Sequence, residues 1–166
     1  MPPMPRMIDI SLIVNDEPVQ RRVEPRTNLV EFLRDDLGLT SPRIGCEHGV
    51  CGACTLRLDG AIVRGCLVLA VQADGARVET IEGLSGSAEI VALQRAFHER
   101  NAVQCGYCTA GMLMTAAALV VTRPDAGRAD IREYLSGNYC RCTGYQAIVD
   151  AVETVLRQRN GRPPSP

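Results

Sequence analysis

The residues of this chain best suited to chemistry are its cysteines. There are eight in 166 positions, and their spacing sorts them into two sets of four. The first set is Cys46, Cys51, Cys54 and Cys66, in the pattern C-x4-C-x2-C, then 11 residues, then C. That is the plant-type spacing for thiolates around a [2Fe-2S] cluster. A cluster is compact, and its sulfurs need hydrogen-bond donors. A loop supplies them from its own N–H groups only where small residues and left-handed backbone allow close approach. The loop GCEHGVCGAC meets that demand with Gly45, Gly49, Gly52 and Ala53. The second set is Cys105, Cys108, Cys140 and Cys142: C-x2-C, 31 residues, then C-x-C. Each pair precedes an apolar helical stretch. A helix N-terminus offers free N–H groups and partial positive charge, which stabilise thiolates. On spacing alone, this second set also suits a tetrahedral zinc site made of four thiolates.

Other chemistries find little support. The two histidines are His48, inside the first cysteine loop, and His98, on a helix far along the chain. A Rieske centre needs two histidines on one iron, and four cysteines already serve that loop. No Ser–His–Asp or Cys–His arrangement points to hydrolysis. No GxxxxGK[ST] or GxGxxG run points to phosphate binding. Met112 and Met114 read as core filler, and Tyr107 and Tyr145 as packing beside the second set. Arg141, between two cysteines, reads equally as an anion contact or a surface cation.

Composition narrows the class. Eight cysteines in 166 residues fall below the roughly 8–10% of a disulfide scaffold, and a chain of this length folds without covalent staples. With 18 basic and 19 acidic residues, net −1, the chain lacks the basic excess of a nucleic-acid binder. The same balance argues against a freely diffusing carrier steered by a large negative field. The N-terminal MPPMPRMIDI has no apolar secretory core. The longest apolar run, Gly111 to Val121, is too short for a membrane span of about 20 residues. A cytoplasmic protein without a membrane span is expected, its thiols reduced.

The elements that must position the cysteines follow from the hydrophobic period. From Met7 to Ile81 it is mostly two. Ile8 to Val14 and Val19 to Val23 read as a hairpin, with Asn15-Asp16-Glu17-Pro18 as the turn. Thr27 is the expected cap of a short helix reaching Asp36. Thr55 to Leu58 and Ala61 to Arg64 form a second hairpin around Asp59-Gly60. Cys66 to Ala73 reads as a short helix and Val78 to Ile81 as a last strand. From Ser87 the period becomes helical. Ser87 caps one helix and Ala110 to Val121 is a second, ended by Arg123-Pro124. Asp130 and Glu133 resemble a capping box for a third, and Thr143 starts a fourth. Glu82 to Gly86 reads as the linker. The Pro/Arg-rich ends, 1–6 and 161–166, read as disordered or partner-bound. The expected class is α+β, with domains at 7–83 and 87–160, each carrying four cysteines.

The segments IGCEHGVCGACTLRLDG, RGCLVLA, VQCGYCTAGMLMTAAAL and LSGNYCRCTGYQAIVDAV resemble the small iron–sulfur subunit of molybdenum hydroxylases, the xanthine dehydrogenase and aldehyde oxidoreductase family. The resemblance covers about residues 7–157. It implies an N-terminal β-grasp, ferredoxin-like domain holding one [2Fe-2S] cluster through Cys46, Cys51, Cys54 and Cys66. It implies a C-terminal four-helix-bundle domain holding a second through Cys105, Cys108, Cys140 and Cys142. The second centre is then nearer the molybdenum cofactor of a large molybdopterin-binding catalytic subunit, with Gln104 and Cys142 approaching the pterin. The first is nearer a flavin, FAD, in a medium subunit. Electrons from substrate hydroxylation at molybdenum leave through both clusters, and no residue of this chain is catalytic. The chain departs from the family at Ala110, where Pro is common, and at Tyr139, where Leu is common. Tyr139 reads as a packing residue before a partner contact. Two rival readings from the residues are a stand-alone ferredoxin-like carrier and a zinc-stabilised interaction module.

Overall fold

A computed structural model describes residues 6–161. Positions 1–5 and 162–166, most of the two Pro/Arg-rich ends, lie outside the described residues.

Strand β1 (Ile8–Val14) alternates as its sequence requires, burying Ile10, Leu12 and Val14. It pairs antiparallel with β2 (Glu17–Val23), from Ile8 opposite Val23 to Val14 opposite Glu17. The turn is shorter than expected, two residues only. Asn15 and Asp16 both take positive φ, 50° and 68°, the form that matches strand twist. Pro18 falls inside β2, which tolerates it because β2 is an edge strand.

Helix α1 (Leu29–Glu31) is capped by Asn28 rather than Thr27. The Asn28 side chain accepts from Glu31 N at 2.9 Å, and Glu31 returns the bond by accepting from Asn28 N at 3.2 Å. It continues as a wider turn through Phe32–Asp36. Strands β3 (Thr55–Leu58) and β4 (Ala61–Arg64) form the expected hairpin. Strand β5 (Arg77–Glu79) then runs parallel to β1 and antiparallel to β3. The sheet order is β2-β1-β5-β3-β4. Leu29, Val30, Phe32 and Leu33 cover it in a core with Leu12, Val14, Leu56 and Val78. Each such buried side chain contributes about 1.5–3 kcal/mol.

The segment after β4 departs from its expected helix. Two tight turns, Gly65–Leu67 and Ala70–Ala73, flank an extended pair at Val68 and Leu69. The cause is tertiary. Leu29 N donates to Val68 O at 2.7 Å and Ala70 N to Thr27 O at 2.8 Å, so the backbone pairs across the chain instead of coiling on itself. The last strand also stops early, because Ile81 begins α2 (Ile81–Leu84). The expected linker is therefore partly helical. Ile81 packs in the helical core, while the Glu82 carboxylate accepts from Ser41 N at 2.8 Å and from Thr80 Oγ1 at 2.6 Å.

The helical half comprises α3 (Ala88–Glu99), α4 (Thr109–Thr122), α5 (Arg128–Leu135) and α6 (Gln146–Arg159). Ser87 caps α3 as expected. Helix α4 is apolar nearly all round, with Met112, Met114, Ala116, Leu119 and Val120 buried. It is the central helix, packed on α3, α5, α6 and β3. In α5 the cap is displaced: Gly127 begins the helix, and Asp130 reaches back to accept from Gly127 N at 2.8 Å. Helix α6 starts three residues later than expected. Gly144 and Tyr145 both take positive φ, 63° and 68°, so the chain cannot coil until Gln146. Among the described residues no helix is long and apolar enough to cross a membrane. The fold is the expected α+β arrangement, a β-grasp sheet followed by a helical domain.

Candidate metal centres

All eight cysteines are free of disulfides, and their thiols meet in pairs. In the first half, the Cys46 and Cys51 side chains lie within each other's influence. The Cys54 and Cys66 sulfurs hydrogen-bond at 3.4 Å. In the second half, Cys108 pairs with Cys140 and Cys105 with Cys142. Among the described residues no three or more His, Cys, Asp or Glu side chains close around a single ion position. Two pairs per half is the arrangement that two irons, each taking two thiolates, require.

The first centre is wrapped by its own loop. His48 N and Cys51 N each donate to Cys46 Sγ at 3.4 Å. These N–H groups, Cys51 first, hold the Cys46 thiol down at about 6. Cys54, at the sheet side, is buried, and burial pushes its thiol up to about 11. The three glycines serve the loop in different ways. Gly49 and Gly52 need φ of +77° and +73°. Gly45 has no such need; a Cβ there would stand 3.1 Å from Cys51 Sγ, so it is kept small for close approach. A side chain at Gly49 would strike Leu67, beside Cys66. His48 is exposed, and its ring contacts the Cys46 carbonyl rather than another thiol.

The second centre is assembled from two separate segments. Cys108 sits at the N-terminal cap of α4, and burial raises its thiol to about 12. Cys140 and Cys142 lie on a loop before α6, not on its first turn. Burial raises the Cys140 thiol, but the Thr143 hydroxyl, at 3.1 Å from its sulfur, and loop N–H groups outweigh burial and lower it. Cys105 and Cys142 form the outer pair, both exposed, with Gln104 exposed beside them. The Tyr107 N–H group lowers the Cys105 thiol, while the Cys105 thiol raises that of Cys142.

Several side chains that hold these loops carry little signal in the sequence. Asn138, 1% exposed, donates to Gly52 O at 3.1 Å and to Thr55 Oγ1 at 3.3 Å, and accepts from Thr115 Oγ1 at 3.0 Å. Arg64 reaches Gly49 O at 3.3 Å, Gly137 O at 2.8 Å and the Thr55 hydroxyl. The only signal for Asn138 is its place two residues before Cys140 in LSGNYCRC. Tyr145 is more than packing. Its hydroxyl donates to Asn138 O and accepts from Cys140 N, both at 3.0 Å. Tyr107 is 44% exposed, donates to Ile44 O at 2.7 Å and lies under Arg43, so it ties the second loop to the first. Tyr139, expected as packing, is 56% exposed. Arg141 is exposed, and Met112 and Met114 are core residues as expected.

Comparison with known proteins agrees with this geometry. Residues 12–80 match the family described as 2Fe-2S iron-sulfur cluster binding domain, and residues 80–153 the family described as [2Fe-2S] binding domain. The gamma subunit of caffeine dehydrogenase from Pseudomonas sp. (strain CBB1) is 50% identical over 149 residues, covering 88% of this chain and 89% of that protein. The chain belongs to the small iron–sulfur subunits of molybdenum hydroxylases. Among solved structures, quinoline 2-oxidoreductase from Pseudomonas putida 86 superimposes with a TM-score of 0.85 at 48% identity, covering 95% of this chain and 99% of the matched chain. Aldehyde oxidoreductase from Desulfovibrio gigas superimposes with a TM-score of 0.83 at 39% identity, covering 95% of this chain but 18% of that longer one. As a member of this family, the protein is an electron-transfer subunit with two [2Fe-2S] clusters, part of a multi-subunit molybdenum hydroxylase.

Proposed function

We propose that Cys46, Cys51, Cys54 and Cys66 hold the first [2Fe-2S] cluster, and Cys105, Cys108, Cys140 and Cys142 the second. The observation that carries this is the meeting of the thiols as two close pairs in each half. By that pairing, Cys46 and Cys51 share one iron and Cys54 and Cys66 the other. In the second centre the iron pairs are Cys108 with Cys140 and Cys105 with Cys142. When bound, a cluster accepts and returns one electron at a time. The chain's own part is to hold the sulfurs, aim N–H and hydroxyl donors at them, and exclude water from the inner pairs. The backbone of Gly45, Gly49 and Gly52 gives the first loop room to do so. The proposed domain limits are 7–83 and 87–160, with α2 lying across the joint.

The complex proposed around it has a large subunit carrying the molybdenum cofactor and a medium subunit carrying FAD. The exposed Cys105–Cys142 pair, with exposed Gln104, is the face offered to the molybdopterin. The first centre, rimmed by exposed Val50 and Leu67, is offered to the flavin side. Electrons then enter at the second centre and leave from the first. A cytoplasmic location fits eight thiols that form no disulfide.

The test is visible absorption, iron analysis and EPR of the reduced complex purified with its partners. Two distinct [2Fe-2S] signals are expected. Zinc is d10 and silent in both spectroscopies, so a colourless, zinc-loaded protein would overturn the assignment.

A further inference from the structure

The hairpin of β3 and β4 carries a positive charge into the seam between the two halves. Thr55 and Arg64 are partners across it, and Arg64 stands two residues before Cys66. Arg64 is half-buried, and its guanidinium spends its donors on neutral oxygens. Nε donates to Gly49 O at 3.3 Å, and one terminal nitrogen donates to the Thr55 hydroxyl. The other donates to Gly137 O at 2.8 Å and to Asn138 Oδ1 at 3.4 Å. Among the described residues no carboxylate pairs with Arg64. Arg57, on the same hairpin, does have such a partner, Glu79 at 3.3 Å.

The place of this charge matters. Gly49 lies between Cys46 and Cys51, and Gly137 lies three residues before Cys140. One guanidinium therefore holds a peptide of each cysteine loop. Its position is fixed from both sides. Asn138 is 1% exposed and is itself held by Gly52 O and Thr115 Oγ1. Gly137 leaves the guanidinium its room, since a Cβ there would stand 2.8 Å from the same terminal nitrogen. A cation drawn partly out of water is costly when only neutral groups face it. Four thiolates around a cluster make an anion, which is more negative still when reduced, and nearby charge shifts its potential. Away from bulk water such a charge is weakly screened.

We infer that Arg64 is a counter-charge shared by the two centres, its guanidinium favouring the reduced form of both. This rests on the ligand assignment proposed above. The effect is electrostatic: the hydrogen bonds of Arg64 go to loop oxygens, and it gives up no proton. It acts on both centres in the same direction, unlike the Thr143 hydroxyl, which meets one sulfur of the second centre. Arg64 is thus a residue that acts through its field, while the cysteines alone hold iron.

The experiment uses the complex purified with its partner subunits, and a redox titration followed by EPR reads the midpoint potential of each centre. Arg64→Gln keeps a polar head and removes the charge. Arg64→Lys keeps the charge and removes the planar fork. In Arg64→Gln the reduction equilibrium constant of both centres is expected to fall roughly tenfold, about 59 mV for a one-electron couple. Arg64→Lys is expected to restore most of that shift. A purely structural strut predicts otherwise, because lysine cannot reproduce the fork and would fail as glutamine does. Unchanged potentials in Arg64→Gln, a shift in one centre only, or equal shifts in both variants overturn the shared counter-charge. Should Arg64→Gln lose a cluster, Arg64→Lys decides: potentials close to those of the unaltered complex support the proposal, and lowered ones overturn it. Loss of a cluster from both variants also overturns it. Absence of two [2Fe-2S] signals from the unaltered complex would instead overturn the ligand assignment.

Discussion

The two cysteine sites each use four thiols, in opposite ways. The first is a continuous loop, with Cys46, Cys51 and Cys54 close together in sequence and only Cys66 arriving later. Its donors are its own N–H groups. The second has no such loop. Its two pairs come from segments 31 residues apart, and beside N–H groups it uses two hydroxyls at Cys140, that of Thr143 on the sulfur and that of Tyr145 on the N–H. The first site buries Cys54 against the sheet, while the second leaves Cys105 and Cys142 at the surface. A site built from one loop can be closed by local backbone. A site built from two segments depends on the packing that brings the segments together, and here its exposed pair leaves it open to a partner.

The sharpest break of that comparison is removal of one ligand from each site. Cys54→Ser is expected to abolish one EPR signal of the reduced protein and spare the other, and Cys142→Ser to do the converse. Loss of both signals from either variant, with the fold intact by circular dichroism, would show that the two sites are not separate. Gly111→Ala comes next in size. Its methyl would collide with Gly52 O, which is backbone and cannot swing aside. Overpacking of this kind costs about 1–3 kcal/mol, so thermal unfolding should begin at a lower temperature, with the first centre lost along with the second.

Thr143→Val probes the second site alone. It deletes the hydroxyl 3.1 Å from Cys140 Sγ. Hydrogen bonds to cluster sulfurs stabilise the more negative, reduced state. The midpoint potential of the second centre should therefore fall while that of the first stays unchanged, as read by a redox titration followed by EPR.

The smallest effect concerns the helical scaffold. Burial raises the Glu153 carboxyl, but Arg128 at 2.6 Å and Arg157 at 3.2 Å outweigh it and hold it below the usual carboxylate range. A depressed folded value means that Glu153 stabilises the protein above the ordinary carboxylate pKa and loses that contribution as the pH falls through the depressed one. Glu153→Gln should thus melt lower than the unaltered protein near neutral pH, with the difference closing in acid.

Much of this is legible in the residues. The C-x4-C-x2-C interval and its glycines carry the first site, because a single loop writes its geometry into adjacent positions. The alternation of Ile10, Leu12 and Val14 carries β1, and Ser87 carries the start of α3. The departures share a cause. The 66–73 segment has a helical pattern, but the Val68 and Leu69 backbone pairs with residues 27–29. Thr143 has the type and place of a helix start, yet its hydroxyl serves Cys140 Sγ and Tyr145 N. Tyr139 has the character of a packing residue, while its side chain is exposed and its N–H bonds to Cys51 O. In each case a hydrogen bond specific to the folded chain overrides a local preference.

By itself, the sequence determined the inventory: eight thiols in two sets of four, one set in a β half and one in a helical half. Spacing is enough for that, because ligand count and loop length are local properties. Only the tertiary structure decided which thiols meet as pairs, which pair faces outward, and how the two sites touch. Those depend on residues far apart in the chain, such as Gly52 with Gly111 and Cys51 with Tyr139. Their approach is set by the packing of α4 against β3, which no interval in the sequence encodes.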